Sequence, residues 1–364
     1  MNVIELFKFL IHSKSETPDD GEILEFVKNY LEGFTAIRVD KNEVKNLFIY
    51  KKFSEGRHLC FAGHVDVVPA GSGWDTDPYT AVEKEGYIYG RGAQDMKSGL
   101  AAFIQAVKET EKFDGTLSLL LTSDEEGPAK YGTLEVLKYL EEHSLMPDSC
   151  VVAEPTCEQI FGDAIKVGRR GSINGLIKIK GKQGHAAYPE KSVNPIHQIA
   201  KVLDKVAGID LDEGDEYFSP SKFVVTDIRA GMQVTNVTPN SLEMMFNVRN
   251  STKTTTKEIE DFVHKYFKET DYTLELDQSA YPFVTDSDTK IVKDIDSAIK
   301  QITGIQTKYS TAGGTSDARF IAPCGVDVIE FGVKNDTIHS INERTTKDEV
   351  ENLYRVFKKL IEIH

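Results

Sequence analysis

The 364-residue chain carries 43 Lys and Arg against 58 Asp and Glu, a net charge of −15, with 40% hydrophobic residues. That mixture can bury a core, and the length suits two or three domains. The acidic excess opposes binding to nucleic acid and to anionic membrane, which would repel it, and no run approaches the roughly 18 uncharged apolar residues of a membrane span.

In chain order, Met1 to Ile11 is apolar but broken by Glu5 and Lys8, which predicts an amphipathic helix and not a signal-peptide core. Ile23, Phe26, Val27, Tyr30 and Leu31 recur at helical spacing. Short apolar runs at Leu47–Tyr50, Leu59–Ala62, Leu117–Leu121 and Cys150–Ala153 read as buried strands. Helices from about Lys97 to Glu111 and from about Thr133 to His143 lie between them, giving an α/β domain with a mostly parallel sheet. After Arg170 the pattern changes. A strand through Ile173, Ile177 and Ile179 leads to a helix from Ile196 to Val206, then strands at Phe223–Ile228 and through Leu242, Met244, Phe246 and Val248. Thr255 and Glu258 form a capping box for a second helix, and Tyr272–Leu276 closes a split βαβ arrangement. The α/β rhythm returns with a helix at about Lys290 to Thr303, a strand at Val326–Phe331 and a last helix capped by Thr346 and Glu349. The expected organisation is a catalytic domain from residues 1–170 and 284–364, interrupted by an inserted domain at 171–283. Cys60, Cys150, Cys157 and Cys324 form no Cys-x-x-Cys pair and are expected to be free buried thiols in a reducing cytoplasm.

The chemistry concentrates past strand ends. His64 and Asp66 follow Leu59–Ala62, Asp95 follows Tyr87–Tyr89, Glu125 and Glu126 follow Leu117–Leu121, Glu154 follows Cys150–Ala153, and His339 comes after Val326–Phe331. In an open parallel sheet such ends share one edge, where ligands bind. Any one of these residues alone has an ordinary explanation, such as a helix cap or a solvated turn. Their joint placement points to a metal centre, because two imidazoles with several carboxylates form the nitrogen and oxygen donor set of zinc. A shared carboxylate could hold two metals about 3.5–4 Å apart for hydrolysis. A carboxylate at Asp66 is expected to orient His64 through its far ring nitrogen.

Three segments carry a resemblance: Gly63-His64-Val65-Asp66-Val67-Val68-Pro69, Gly90-Arg91-Gly92-Ala93-Gln94-Asp95-Met96-Lys97-Ser98-Gly99 and Ser123-Asp124-Glu125-Glu126-Gly127. They resemble the signatures of the dinuclear zinc aminoacylase and carboxypeptidase family. The resemblance implies two Zn2+ per subunit, with Co2+ able to substitute. It assigns His64 and Glu154 to one zinc, Glu126 and His339 to the other, Asp95 as the bridge, Asp66 as the orienter of His64 and Glu125 as the general base. It also implies a non-proline cis peptide at Asp95–Met96, and an α/β zinc-peptidase-like catalytic domain with a mixed, mostly parallel sheet. The inserted domain would be a ferredoxin-like α+β dimerisation domain of a cytoplasmic homodimer.

A finer resemblance, to family members that cleave N-succinyl amides, rests on Thr17-Pro18-Asp19-Asp20, Gly168-Arg169-Arg170-Gly171-Ser172, Gly184-His185-Ala186-Ala187-Tyr188-Pro189 and Gly313-Gly314-Thr315-Ser316-Asp317-Ala318-Arg319. It implies that His185 reaches the partner's site to stabilise an oxyanion, and that Arg170, Asn236, Arg249, Gly314, Thr315 and Ser316 hold an anionic small-molecule substrate. The implied reaction is hydrolysis of N-succinyl-LL-2,6-diaminopimelate in lysine and diaminopimelate biosynthesis, with an acetylated amino acid or a dipeptide as the alternative substrate.

Overall fold

The apolar runs of the first 170 residues are too short to bury themselves and must be stacked in a sheet covered by helices. A computed structural model describes residues 1–364 and places them so. Its contacts divide into two units: Met1–Gly168 with Thr285–Ser310 and Gly314–His364, and Arg169–Val284 with Thr311–Gly313.

The first unit is built on an eight-stranded mixed sheet. The spatial order is Thr35–Arg38, Asn46–Lys52, Gly115–Thr122, Arg57–His64, Ser149–Val152, Asp327–Glu330, Ala164–Lys166 and Lys308–Ser310. The central strands are parallel: Arg57–His64 pairs with both Gly115–Thr122 and Ser149–Val152, which in turn pairs with Asp327–Glu330. Asn46–Lys52 runs antiparallel to Gly115–Thr122, and the strand outside it is antiparallel again. Helices Val3–His12, Lys97–Lys108, Lys290–Thr303 and Lys347–Ile363 pack on one another. Phe61 from the central strand meets Phe103 and Phe357 from two of these helices, at centroid distances of 5.7 and 5.2 Å. The last helix begins with the expected Thr346/Glu349 capping box.

The second unit is a four-stranded antiparallel sheet in the order Phe223–Ala230, Ser241–Val248, Ser172–Lys180, Tyr272–Ala280. That strand order, with two helical connections, is the ferredoxin-like arrangement. Along Ser241–Val248 the side chains of Leu242, Met244, Phe246 and Val248 are buried while their neighbours face outward, and this alternation fixes register. Helix Thr256–Phe267 carries the Thr255/Glu258 capping box and buries Ile259, Val263 and Phe267 against the sheet. The expected helix from Ile196 to Val206 is instead two short ones, Pro195–Ile199 and Leu203–Val206. Their apolar face is as expected, since Ile199, Val202 and Val206 join the core. Periodicity specifies the buried face, not the continuity of the helix. Cys60, Cys150 and Cys157 are free and buried, whereas Cys324 is exposed, because it lies in the turn after Ala318–Ile321 and outside the sheet. No helix is long and apolar enough to cross a membrane.

Candidate metal centre

The central parallel strands deliver their carboxyl ends side by side. His64 is the last residue of its strand, with Thr122 opposite it in register. The loop after Thr122 is folded back by Asp124, whose carboxylate accepts the Lys130 and Tyr131 amides at 2.8 and 3.0 Å, and it carries Glu125 and Glu126. Glu154 stands two residues past Ser149–Val152, and His339 lies in the segment after Asp327–Glu330 with a positive φ of 57°. Asp95 comes from elsewhere. Tyr87–Tyr89 is not in the main sheet but is the middle strand of a separate three-stranded sheet, so the expectation of one shared edge fails for this residue. The Asp95–Met96 peptide is cis, as the resemblance implied, and Lys97 opens the following helix.

Around Asp95 the side chains converge. His64 Nε2 lies 3.0 Å from Asp95 Oδ1 and 3.8 Å from Glu154 Oε1. His339 Nε2 lies 3.3 Å from Asp95 Oδ2 and 2.9 Å from Glu126 Oε1. Each oxygen of one carboxylate therefore faces a different imidazole. Glu125 joins the cluster, since its carboxylate shares a 4.8 Å neighbourhood with the ligand atoms of His64 and Glu154. Donor atoms on a tetrahedral zinc with bonds of about 2.0–2.1 Å stand roughly 3.3 Å apart, and the observed separations of 2.9 to 3.8 Å bracket that spacing.

The electrostatics also call for cations. Burial, reinforced by Asp95 and Glu125, pushes Glu154 well above the usual carboxylate range. Burial and the charges of Asp317, Asp95 and Glu126 push Glu125 up to about 8. Burial also raises Asp95, but the imidazoles of His339 and His64 more than offset it and hold the group below its ordinary value. Four carboxylates against two imidazoles in so dry a place are mutually repulsive unless positive charge is supplied. The residues fit a pair of divalent cations.

Asp66 departs from its expected part. His64 Nδ1 hydrogen-bonds the main-chain carbonyl of Asp66 at 2.8 Å, while the carboxylate Oδ1 is 3.7 Å away. The backbone acceptor thus sets the tautomer, leaving Nε2 free to bind metal. The Asp66 carboxylate instead accepts the Glu126 amide at 3.1 Å, tying the strand end to the loop that bears Glu126. Two glycines fix Glu154. A Cβ on Gly99 would stand 2.3 Å from the Ala153 oxygen, and one on Gly332 would stand 2.4 Å from the Glu154 oxygen. Only bare backbone lets the helix and the neighbouring strand close on that peptide.

The expected substrate residues fall in both units. In the second unit, Gly184–His185 pairs with Val237–Thr238, and the Ala186 amide donates to the Asn236 carbonyl at 2.9 Å, so His185 and Asn236 share one exposed ribbon. The Ala187 amide donates to His185 Nδ1 at 3.0 Å, which leaves Nε2 as the nitrogen that carries the hydrogen of the neutral ring. Arg170 donates to the Arg249 carbonyl at 2.9 Å and to Ser219 Oγ at 2.7 Å, and its guanidinium covers the Phe218 ring, while Arg249 is exposed. In the first unit Gly314 and Thr315 are exposed. Ser316 is fully buried and its hydroxyl donates to Glu330 at 2.6 Å, so a hydroxyl contact with substrate is not what this residue offers here. Arg319, the last residue of the Gly313–Arg319 motif, has Nη1 4.0 Å from Glu125 Oε1.

Sequence reasoning missed the residues beneath the ligands. Asp317 is buried and accepts Thr133 Oγ1 at 2.7 Å. Glu343, Arg91 and Gln94 are buried below the Asp95 turn. Nothing in a sequence separates such residues from solvated charges, because acidic and basic side chains are ordinarily exposed.

Known proteins share both the sequence and the fold. The chain is 71% identical over 362 residues to a protein of Sulfurimonas denitrificans named succinyl-diaminopimelate desuccinylase, covering 100% of this chain and 99% of that one. A protein of the same name from a Nitratiruptor species is 67% identical over 99% of both chains. Among solved structures, the aminopeptidase PepT of Bacillus cereus matches with a TM-score of 0.79 at 20% identity, over 99% of this chain and 97% of that one. A dinuclear metal-binding M20-family peptidase of Bacillus subtilis matches with a TM-score of 0.71 at 15% identity, over 99% and 96%. These two support the fold alone. Residues 60–363 match peptidase family M20/M25/M40, and the chain belongs to that family.

Proposed function

We propose that this chain hydrolyses N-succinyl-LL-2,6-diaminopimelate to succinate and LL-2,6-diaminopimelate, using two zinc ions per subunit. The observation that carries the reading is the two-faced carboxylate of Asp95, with His64 and Glu154 on one side and His339 and Glu126 on the other. The substrate is taken from the name shared by full-length relatives at 54–71% identity.

When bound, such a metal pair supplies Lewis-acid polarisation of the amide carbonyl and lowers the pKa of the attacking water. The chain's own residues do the rest. Glu125 accepts the proton of the water as it attacks the amide carbon. The same carboxyl then delivers that proton to the departing amine nitrogen as the C–N bond breaks, so the base is regenerated. Its largely enclosed position, with 11% of the side chain exposed, limits exchange of this proton with bulk water. His185, with its hydrogen on Nε2, is suited to donate to the developing oxyanion. Arg170 and Arg249 would hold substrate carboxylates, which an acidic protein must meet with local cations. The inserted domain would form a homodimer that brings His185 to the site of the opposite subunit, in a cytoplasmic enzyme of lysine biosynthesis.

Two measurements test the reading. Metal analysis should give two zinc per chain and hydrolysis should stop with chelation; protein that stays active without metal would defeat it. Mixing inactive His185→Ala and Glu125→Gln chains should restore up to about a quarter of wild-type activity through hybrid dimers, each holding one intact site. No recovery from co-expressed chains would place His185 in its own subunit's site, and a His185→Ala chain that is active by itself would place it outside catalysis.

A further inference from the structure

Glu343 lies four residues after His339 and is completely buried. Its carboxylate is surrounded by N–H donors. Oε1 accepts the backbone amides of Gln94 at 2.8 Å and Asp95 at 3.1 Å, and Oε2 accepts the Gly92 amide at 3.1 Å and Arg91 Nη1 at 2.6 Å. The Glu343 carbonyl accepts the Gly90 amide at 3.0 Å. A carboxylate is acceptor-only, so it matches this ring of donors completely. Arg91 continues the connection, donating to the His339 carbonyl at 3.3 Å and the Ala70 carbonyl at 3.2 Å. Gln94 adds an independent stitch, donating to Asp336 Oδ1 at 2.6 Å and accepting the Thr337 amide at 2.8 Å.

A buried glutamate paired with arginine has an obvious ordinary reading, mutual neutralisation. Arg91 accounts for only one of the four short contacts to this carboxylate, however. The other three are amides of the very turn that ends on Asp95. We infer that Glu343 is a positioning residue for the metal centre: it locks the Gly90–Asp95 turn to the His339 segment, so that Asp95 Oδ2 and His339 Nε2 are presented together. This deepens the zinc reading above and rests on it. Groups that hold metal ligands in place change metal affinity by about 10–100-fold when altered.

An asymmetry between the two metal positions follows. The pair on the Glu126 side draws two of its ligands, Asp95 and His339, from segments that Glu343 joins. The position on the other side shares Asp95 but takes its other ligands, His64 and Glu154, from ends of main-sheet strands that Glu343 does not touch. Glu343→Gln keeps the volume but replaces one acceptor oxygen with a carboxamide NH2, a donor facing donors. Titration of the metal-stripped full-length chain with zinc chloride, in competition with a chelating dye, should show one of two binding constants weakened about 10–100-fold and the other changed much less. Glu343→Asp, which keeps the charge, should be intermediate. The melting temperature of the metal-free protein is measured alongside. Unchanged constants in folded Glu343→Gln overturn the inference, as do two constants that fall equally with a lowered metal-free melting temperature. If Glu343→Gln does not fold, Gln94→Ala, which cuts the second stitch, is read by the same criteria. A wild-type chain that binds no zinc sinks the metal-centre reading and this inference with it, whereas normal wild-type binding with unchanged variants sinks the inference alone.

Discussion

Gly99→Ala is a one-carbon change with a calculable consequence. Gly99 is the third residue of helix Lys97–Lys108, and its absent Cβ would stand 2.3 Å from the Ala153 oxygen and 2.6 Å from the Ala153 Cβ. The blocking atoms are backbone and a methyl stub, so no rotamer change relieves them. Restoring an ordinary carbon–oxygen contact requires a shift of roughly 1 Å, and overpacking of this kind costs about 1–3 kcal/mol, here toward the upper end. Against this, alanine is about 1 kcal/mol better than glycine inside a helix. The overlap wins, by about 2 kcal/mol. At about 2–4 °C per kcal/mol for a unit of this size, the melting temperature should fall by roughly 4–8 °C. The displaced peptide leads directly into Glu154, and metal sites tolerate only about ±0.2 Å in ligand distance. Zinc affinity should therefore fall about tenfold or more, on the His64 and Glu154 side. Calorimetry of the metal-free chain and dye-competition zinc titration measure the two effects. A Gly99→Ala variant with wild-type melting temperature and zinc affinity would refute the close helix-to-strand contact on which the placement of Glu154 is argued.

Three further outcomes are expected. Glu125→Gln should keep both zinc ions by metal analysis and lose about 10²–10⁴-fold in kcat, the usual value of a general base; wild-type turnover would remove Glu125 from that part. Asp66→Asn should lower zinc affinity by only about tenfold, because the carbonyl that orients His64 remains and a charged hydrogen bond to the Glu126 amide is replaced by a neutral one worth about 1 kcal/mol less; a loss beyond a hundredfold would restore the carboxylate as the orienting group. Burial lowers His58 from 6.5 to about 4, with its Nε2 2.7 Å from Ser118 Oγ. The unfolded chain takes up this proton first as pH falls, so stability present above pH 6.5 drains away down to about pH 4, by roughly 2–3 kcal/mol after allowing for partial exposure. Urea unfolding at pH 7.5 and 4.5 should show a smaller difference for His58→Gln than for wild type, and equal differences would exonerate His58.

The sequence revealed what is periodic and what is unusual. Continuous apolar runs marked the central strands, which are buried on both faces, and alternation marked the strand through Leu242, Met244, Phe246 and Val248, which is buried on one. The Thr255/Glu258 and Thr346/Glu349 boxes were legible because capping is a local interaction. His64, Glu126, Glu154 and His339 were legible because strand ends are where a parallel sheet presents polar groups, whereas Asp95 follows a strand of a separate sheet and was reached by its motif and not by that edge. The supporting groups were not. Glu343 and Arg91 form a buried pair 2.6 Å apart between residues 252 positions distant in sequence, and such pairing is decided by tertiary contacts alone. The switch at Asp66 from carboxylate to carbonyl depends on a ring rotation that no spacing encodes. The separate sheet containing Tyr87–Tyr89 was hidden because its partner Arg344–Thr346 lies near the other end of the chain. The openness of Cys324 was hidden because residue type sets average burial, not the burial of one turn.

The central claim is that a zinc pair on this cradle cleaves a succinyl amide. The most direct measurement is kcat/KM of the zinc-loaded full-length protein on N-succinyl-LL-2,6-diaminopimelate, N-acetylornithine and a simple dipeptide, each before and after chelation. Zinc-dependent hydrolysis with a clear preference for the succinyl substrate is the predicted result. A preference for acetylornithine or the dipeptide, or turnover that survives removal of the metal, would contradict it.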